Sequence, residues 1–172
     1  RSTLFPYTTL FRSHFKGHAI ASEQIAKTVM KRLKFDNDTI RKVTKLVAYH
    51  DYRMEPTGAN VRRAMHEIGV ELFPYYLAVR LADTKAQSSY ERRGKLENII
   101  QIRELYRNAL RNKECVTLKD LAVTGTDLIN LGIAPGKELG TLLNELLDMV
   151  IEDPAWNQKG KLCDYVKERF GF

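Results

Sequence analysis

Apolar residues recur every three or four positions from residue 17 onward, which is the spacing of amphipathic helices. This spacing and the capping residues predict five helices before residue 114. They run from about 19 to 33, from the caps at 36–38 to 50, from 57 to 69, from 72 to 87 and from 91 to 113. No stretch alternates convincingly as a strand does, so the sequence predicts an all-α fold.

A change of composition after residue 113 marks a second, smaller helical module. Within it, a short helix is expected to end at Gly132 and another to begin near Pro135, with a tight hairpin between them. We therefore predict a helical domain over 14–89, a connecting basic helix over 90–113 and a C-terminal module over 114–172.

Residues 1–13 differ from the rest of the chain, because Arg-Ser and Thr-Leu-Phe each occur twice within them. This near-repeat resembles the translation of a sequencing adapter; the alternative is a natural strand or arm. We exclude the segment from the prediction of the fold and expect the natural protein to extend further upstream.

The composition is that of a globular protein, with 44% hydrophobic and 28% charged residues among 172. No apolar run approaches the roughly 18 residues that a membrane span requires. The two cysteines, Cys115 and Cys163, are too few for a disulfide framework and indicate a reducing cytoplasm.

The positive charge is concentrated towards the N-terminus. Residues 1–90 contain 15 lysines and arginines against 8 acidic residues, whereas residues 91–172 contain 13 of each. A surplus of this kind favours a polyanionic partner, of which nucleic acid is the commonest. Within the basic half, Arg62 and Arg63 are candidate contacts to RNA.

Three further arginines, Arg103, Arg107 and Arg111, are spaced four apart on the long predicted helix. They would line one surface of it, either as a ridge that follows an RNA backbone or as an ordinary solvated face.

The predicted hairpin offers a second kind of phosphate contact, through Gly132, Pro135, Gly136 and Lys137. Free amide groups at a helix N-terminus attract phosphate, and the lysine adds charge. The alternative is that Gly and Pro stand there only for the geometry of the turn.

Three polar residues in apolar helical contexts, His18, His50 and Asp83, could converge on one divalent ion. The alternative is that the histidines are hydrogen-bonded packing residues.

The order of short motifs along the chain resembles a known family. The upstream motifs are Gly17-His18, Ser22, Arg32-Leu33-Lys34-Phe35, His50-Asp51-Tyr52-Arg53, Val61-Arg62-Arg63, Gly69, Glu71, Phe73, Leu81-Ala82-Asp83 and Ala86-Gln87. They look like the HD-type region of bacterial CCA-adding tRNA nucleotidyltransferases. The downstream motifs, similar to the tRNA-binding tail of the same family, are Leu118 to Gly125, Asp127-Leu128, Gly132, Pro135-Gly136-Lys137 and Gly140.

The resemblance implies that tRNA is the partner and that residues 14–89 are a partial HD-like domain. Members of the family add CTP and ATP to the tRNA 3′ end with a head domain whose paired aspartates bind Mg²⁺. No residue of this sequence matches that head, so we expect no catalytic residue for nucleotide addition here, and contact with CTP and ATP only through the head. The chain resembles the neck, body and tail that hold the tRNA.

The HD-like region departs from a complete metal site, because the His-Asp dyad of HD phosphohydrolases should precede His18. We therefore do not expect the chain to hold a complete metal centre. Two other hypotheses stay open: a metal-dependent phosphohydrolase of the HD superfamily acting on a nucleotide or cyclic phosphate, and a helical interaction module without RNA affinity.

Overall fold

The computed structural model describes residues 18–171, and within them it contains eight α-helices and no strand. The helices are α1 His18–Arg32, α2 Asn37–Tyr49, α3 Gly58–Ile68, α4 Phe73–Ala86, α5 Arg92–Arg111, α6 Gly125–Asn130, α7 Lys137–Glu152 and α8 Lys159–Phe170. The predicted all-α fold is thereby confirmed. The adapter-like residues 1–13 lie outside the described part of the chain.

The helix ends fall close to the predicted ones because local side chains fix them. The Asp36 carboxylate accepts a hydrogen bond from the backbone amide of Thr39 at 2.9 Å. The Thr57 hydroxyl accepts one from the backbone amide of Asn60 at 3.2 Å. Each satisfies one of the donors that a helix leaves free at its start. At the end of α3, Gly69 adopts a φ of +100°, which a residue with a side chain rarely tolerates.

The chain forms two compact units, the first reaching to Asp51 and the second beginning at Tyr52. In the first unit α1 packs against α2, and α2 buries Ile40 and Thr44. Ile25 on α1 and Leu33, which directly follows α1, are largely exposed. The predicted domain boundaries at 89–90 and 113–114 both lie inside the second unit.

In the second unit, α3 packs against α4, α5 and α7. Val61, Met65 and Ile68 on α3 are buried, as their spacing predicts, and so are Ile99 and Ile102 on α5. The C-terminal helices enclose their own apolar cluster, which includes Leu121, Val123, Leu128, Leu142, Leu146, Leu147, Val150, Ile151, Leu162 and Val166. The arginines on α5 and the hairpin before α7 are thus carried by a packed helical core.

In the described part of the chain, no helix is long and apolar enough to span a membrane.

Candidate nucleic-acid interface

Arg62, predicted as an RNA contact, is buried, with 8% of its surface exposed. Its Nε donates to the carbonyl of Ile151 at 2.7 Å and its Nη2 to the carbonyl of Glu152 at 3.0 Å. Its Nη1 donates to the Glu114 carboxylate at 2.8 Å. The guanidinium therefore joins α3 to the end of α7. This placement is not that of a surface contact, and Arg62 does not enter the interface below.

The next residue, Arg63, is exposed, and its Nη2 lies 3.1 Å from a carboxylate oxygen of Glu152. Ion pairs between exposed side chains are weak because water competes for both partners. The Arg63 guanidinium therefore remains available to a phosphate.

The three arginines of α5 are all exposed, but their surroundings differ. Arg107 pairs with Glu104 at 2.7 Å, and Arg111 donates to the Asn108 side chain at 2.7 Å. Arg103 forms no hydrogen bond or ion pair within residues 18–171. Among the three, Arg103 has its donors least occupied.

Arg103 and Arg107 also line a groove of about 320 Å³ between α4 and α5. Apolar side chains, among them Leu77, Leu81 and Ile99, form much of the rest of its lining. Arg103 and Arg107 therefore border a partly apolar groove.

The hairpin between α6 and α7 depends on two glycines with positive φ, Gly132 at +102° and Gly136 at +149°. Between them, Ile133 is buried in the core of the C-terminal helices and anchors the loop. Pro135, Gly136 and Lys137 are exposed. The four predicted residues are therefore brought together on one accessible turn.

At the start of α7, no side chain caps the helix, and the amides of Glu138 and Leu139 donate no hydrogen bond inside the described residues. Free amides at a helix N-terminus favour an anion, and Lys137 adds to this preference. The Glu138 carboxylate stands in the same turn and works against it.

Asp127 links the start of α6 to α8. Its carboxylate accepts the Lys159 ammonium at 2.5 Å and also binds the backbone amide and the hydroxyl of Thr124. The hydrogen bond from Lys159, followed by those from Thr124, lowers the pKa of Asp127 to about 2. The carboxylate is therefore ionised at neutral pH and ties α8 to the start of α6.

The candidate metal ligands divide between the two units, with His18 and His50 in the first and Asp83 in the second. The side chain of His18 lies outside the description, although α1 begins at that residue. His50 is half-buried, with its Nδ1 2.6 Å from the carbonyl of Val47. Asp83 is exposed and accepts the side-chain amide of Gln87 at 2.6 Å. No group of three or more His, Cys, Asp or Glu able to hold a metal ion occurs among the described residues, which by themselves do not fit a metal centre.

Two charged residues of structural interest are absent from the sequence-based predictions. Glu114 is the carboxylate partner of Arg62, and nothing in its local sequence indicates this contact over 52 positions. Arg80 on α4 is 9% exposed. The sequence could have indicated this burial, because Arg80 is the one charged residue in the otherwise apolar run from 77 to 82.

Over the described residues the chain is all-helical, and it carries exposed cations on packed helices. The family model described as tRNA nucleotidyltransferase domain 2 matches residues 17–166. The chain therefore belongs to the tRNA nucleotidyltransferase domain 2 family. Comparison with curated proteins gave no match, and comparison with solved structures gave none either.

Proposed function

We propose that this chain is the tRNA-binding body and tail of a CCA-adding tRNA nucleotidyltransferase. In this proposal it holds the tRNA in the cytoplasm while a head outside this chain adds nucleotides to the 3′ end. CTP, ATP and Mg²⁺ would bind at the head, whose paired aspartates have no counterpart in this sequence. The chain's own contribution is to bind and orient the RNA.

Membership of the tRNA nucleotidyltransferase domain 2 family over residues 17–166 carries the proposal. The order of short motifs along the chain resembles the HD-type region and the tail of CCA-adding enzymes, and for this reason we propose that class of nucleotidyltransferase. The exposed positions of Arg63, Arg103 and Lys137 on packed elements are compatible with it.

The proposed contacts are made to the RNA backbone. The arginine side chains present several donors to phosphate oxygens, and the hairpin presents backbone amides beside Lys137. Contacts of this kind depend on the shape and charge of a folded RNA and not on its base sequence. They would allow one surface to accept tRNAs of different sequence.

The first test is binding of the full chain to whole tRNA and to a single-stranded RNA of equal length, across a range of salt. We expect tighter and strongly salt-dependent binding to the folded tRNA, because rigid helices match a fixed arrangement of phosphates. Equal weak binding to both RNAs would contradict the proposal.

The second test is charge reversal at Arg103→Glu and Lys137→Glu, each in the full chain. We expect each variant to bind tRNA about three- to tenfold more weakly and to lower the salt slope by about one unit for each phosphate that it no longer binds. Both side chains are exposed, so the fold should be unaffected.

A matched control is Lys167→Glu on α8, which makes the same charge change at a lysine paired only at 3.8 Å with Asp164. It should bind tRNA like the unchanged chain. An equal decrease in affinity in all three variants would indicate a general effect of net charge and would remove Arg103 and Lys137 as specific contacts.

A further inference from the structure

The start of α5 forms one wall of an open pocket of about 390 Å³ that lies wholly within the second unit. Three cations and one carboxylate line it, together with an amide side chain and a glycine. These residues are Arg53, Arg80, Lys95, Glu91, Asn98 and Gly94. The pocket has a surplus of positive charge. None of its lining residues belongs to the arginines at 103, 107 and 111 or to the hairpin over 132–137.

Arg80 is the residue that most needs an explanation, because its side chain is charged and 9% exposed. Its Nη1 donates to the Tyr76 hydroxyl at 3.3 Å, and its guanidinium lies 5.9 Å from the centre of the Tyr76 ring. No carboxylate pairs with it among the described residues. A guanidinium does not lose its proton in a protein, and a buried charge without a counter-charge is unfavourable. An anion in the pocket would supply that counter-charge.

Two further cations nearby are bound only to neutral oxygens. Arg92 donates through Nη2 to the carbonyl of Gln87, and its Nε is buried without a partner in the described residues. Lys95 donates to the side-chain oxygen of Gln87 at 2.9 Å. The positive charge around Gln87 is therefore not neutralised by these contacts.

The backbone adds donors in the same place. No side chain caps α5, a helix of 20 residues, and the amides of Arg93 and Gly94 donate to nothing within the described part of the chain. A Cβ placed on Gly94 would have no atom within 4 Å, so the approach to these amides is open. A helix N-terminus of this kind attracts an anion, which the buried Arg80 would also contact.

We propose that this pocket binds one phosphate group, held by Arg80, Lys95 and the first amides of α5. Guanidinium, ammonium and backbone donors that approach from different directions suit a tetrahedral oxyanion. The source that we assign to the phosphate, the tRNA backbone, rests on the proposed function, whereas the phosphate chemistry does not. A free nucleotide would present the same group.

The site itself is tested with inorganic pyrophosphate on the full chain, with the amide resonances of Gly94 and Arg93 followed by NMR. We expect saturable shifts at these amides in the unchanged chain. In Gly94→Asp a carboxylate enters the open space, and pyrophosphate should bind at least about tenfold more weakly. The fold should be retained, because an acidic residue in the first turn suits the helix dipole.

Two further variants sharpen the pyrophosphate test. Arg80→Met keeps the side-chain stem and removes the charge, so it should lose binding while its melting temperature stays equal or rises. Gly160→Asp is the matched control, since Gly160 lies in the first turn of α8 and also has no atom within 4 Å of a built Cβ. It should bind pyrophosphate normally. Absence of any shift at Gly94 in the unchanged chain overturns the site, whether or not tRNA binds.

Binding of tRNA to the same variants distinguishes the two sources of the phosphate. We expect Gly94→Asp to weaken tRNA binding about tenfold and to lower the salt slope by about one unit, with Gly160→Asp unchanged. If pyrophosphate binding is abolished while tRNA binding is unaffected, the assignment to the tRNA backbone is overturned and a free nucleotide is the source. If the unchanged chain binds no tRNA, the proposed function fails, and the pyrophosphate result still decides the site.

Discussion

At the scale of single residues, the two cysteines have different surroundings. Cys115 is 2% exposed, and its Sγ lies 3.6 Å from the carbonyl of Thr117. Burial, and after it the nearby Asp120 carboxylate, raises the pKa of this thiol to about 11. Because the thiolate is the reactive form, Cys115 should be inert in the folded chain. Cys163 on α8 is only partly buried.

We predict that iodoacetamide at about pH 8 modifies one thiol of the folded chain, Cys163, and modifies both in urea. Mass spectrometry of the modified protein reads the number directly. The variant Cys163→Ser should take up no label until it is unfolded. Rapid labelling of Cys115 in the folded state would show that its surroundings open more readily than the structure indicates.

The adjacent arginines Arg62 and Arg63 show how far the sequence can predict the surroundings of a single residue. Arg62 and Arg63 look equivalent in the sequence, yet the first is buried and the second exposed. Position 62 lies beside the buried stripe of Val61 and Met65, so its side chain faces the core. Periodicity alone could have raised this possibility. The partners of Arg62, 89 and 90 positions away, could not be read from local spacing.

At the scale of elements, α7 depends on α3 for its termination. The last carbonyls of a helix lack partners within it, and a cation there is favourable. No basic residue stands in the last turn of α7, and Arg62 of α3 binds the carbonyls of Ile151 and Glu152 instead. One side chain thus completes α7 and fixes it against α3.

We predict that Arg62→Ala lowers the free energy of unfolding by about 3 kcal/mol, because it leaves Oε2 of the partly buried Glu114 carboxylate and the two carbonyls without their donor. The adjacent variant Arg63→Ala should lower it by less than about 1 kcal/mol, since its ion pair is exposed. Urea unfolding of both variants under the same conditions provides the comparison. An equal decrease in both would mean that the buried contacts add nothing beyond a surface pair.

The elements themselves were largely predictable, whereas their arrangement was not. Helix limits follow from spacing and from caps such as Asp36 and Thr57, which act within a few residues. The pocket at the start of α5 combines Arg53, Arg80 and Gly94 from separate segments. Contacts of this kind depend on packing between helices, which the pattern along one chain does not specify.

At the scale of the whole molecule, the charges of the proposed interface do not follow the net charge of the sequence. Residues 91–172 contain equal numbers of acidic and basic residues, yet they include Arg103, Arg107 and Lys137. The acidic residues of this half are engaged in part by other cations, as Asp127 is by Lys159. The proposed interface is therefore defined by the local exposure of cations and not by the net charge of a segment.

We predict that the double variant Arg103→Glu with Lys137→Glu weakens tRNA binding by about the product of the two single effects. Both residues belong to the second unit, and one tRNA would contact both, so independent effects add as free energies. The double variant of Arg103→Glu with Lys167→Glu should be no weaker than Arg103→Glu alone. A double variant that binds no more weakly than the weaker-binding single variant would contradict independent contributions from the two residues.

The contact between Arg62 and the end of α7 also affects how the protein is made. A ribosome that adds about 5–20 residues per second needs about 5 to 18 seconds to synthesise the 90 positions that separate Arg62 from Glu152. Throughout that interval Arg62 has been synthesised but the carbonyl of Glu152 has not. The nascent chain can assemble α3, α4 and α5 first, and α7 joins them last. Synonymous codon changes that alter the speed of translation between residues 62 and 152 would therefore act on the step at which the tail docks.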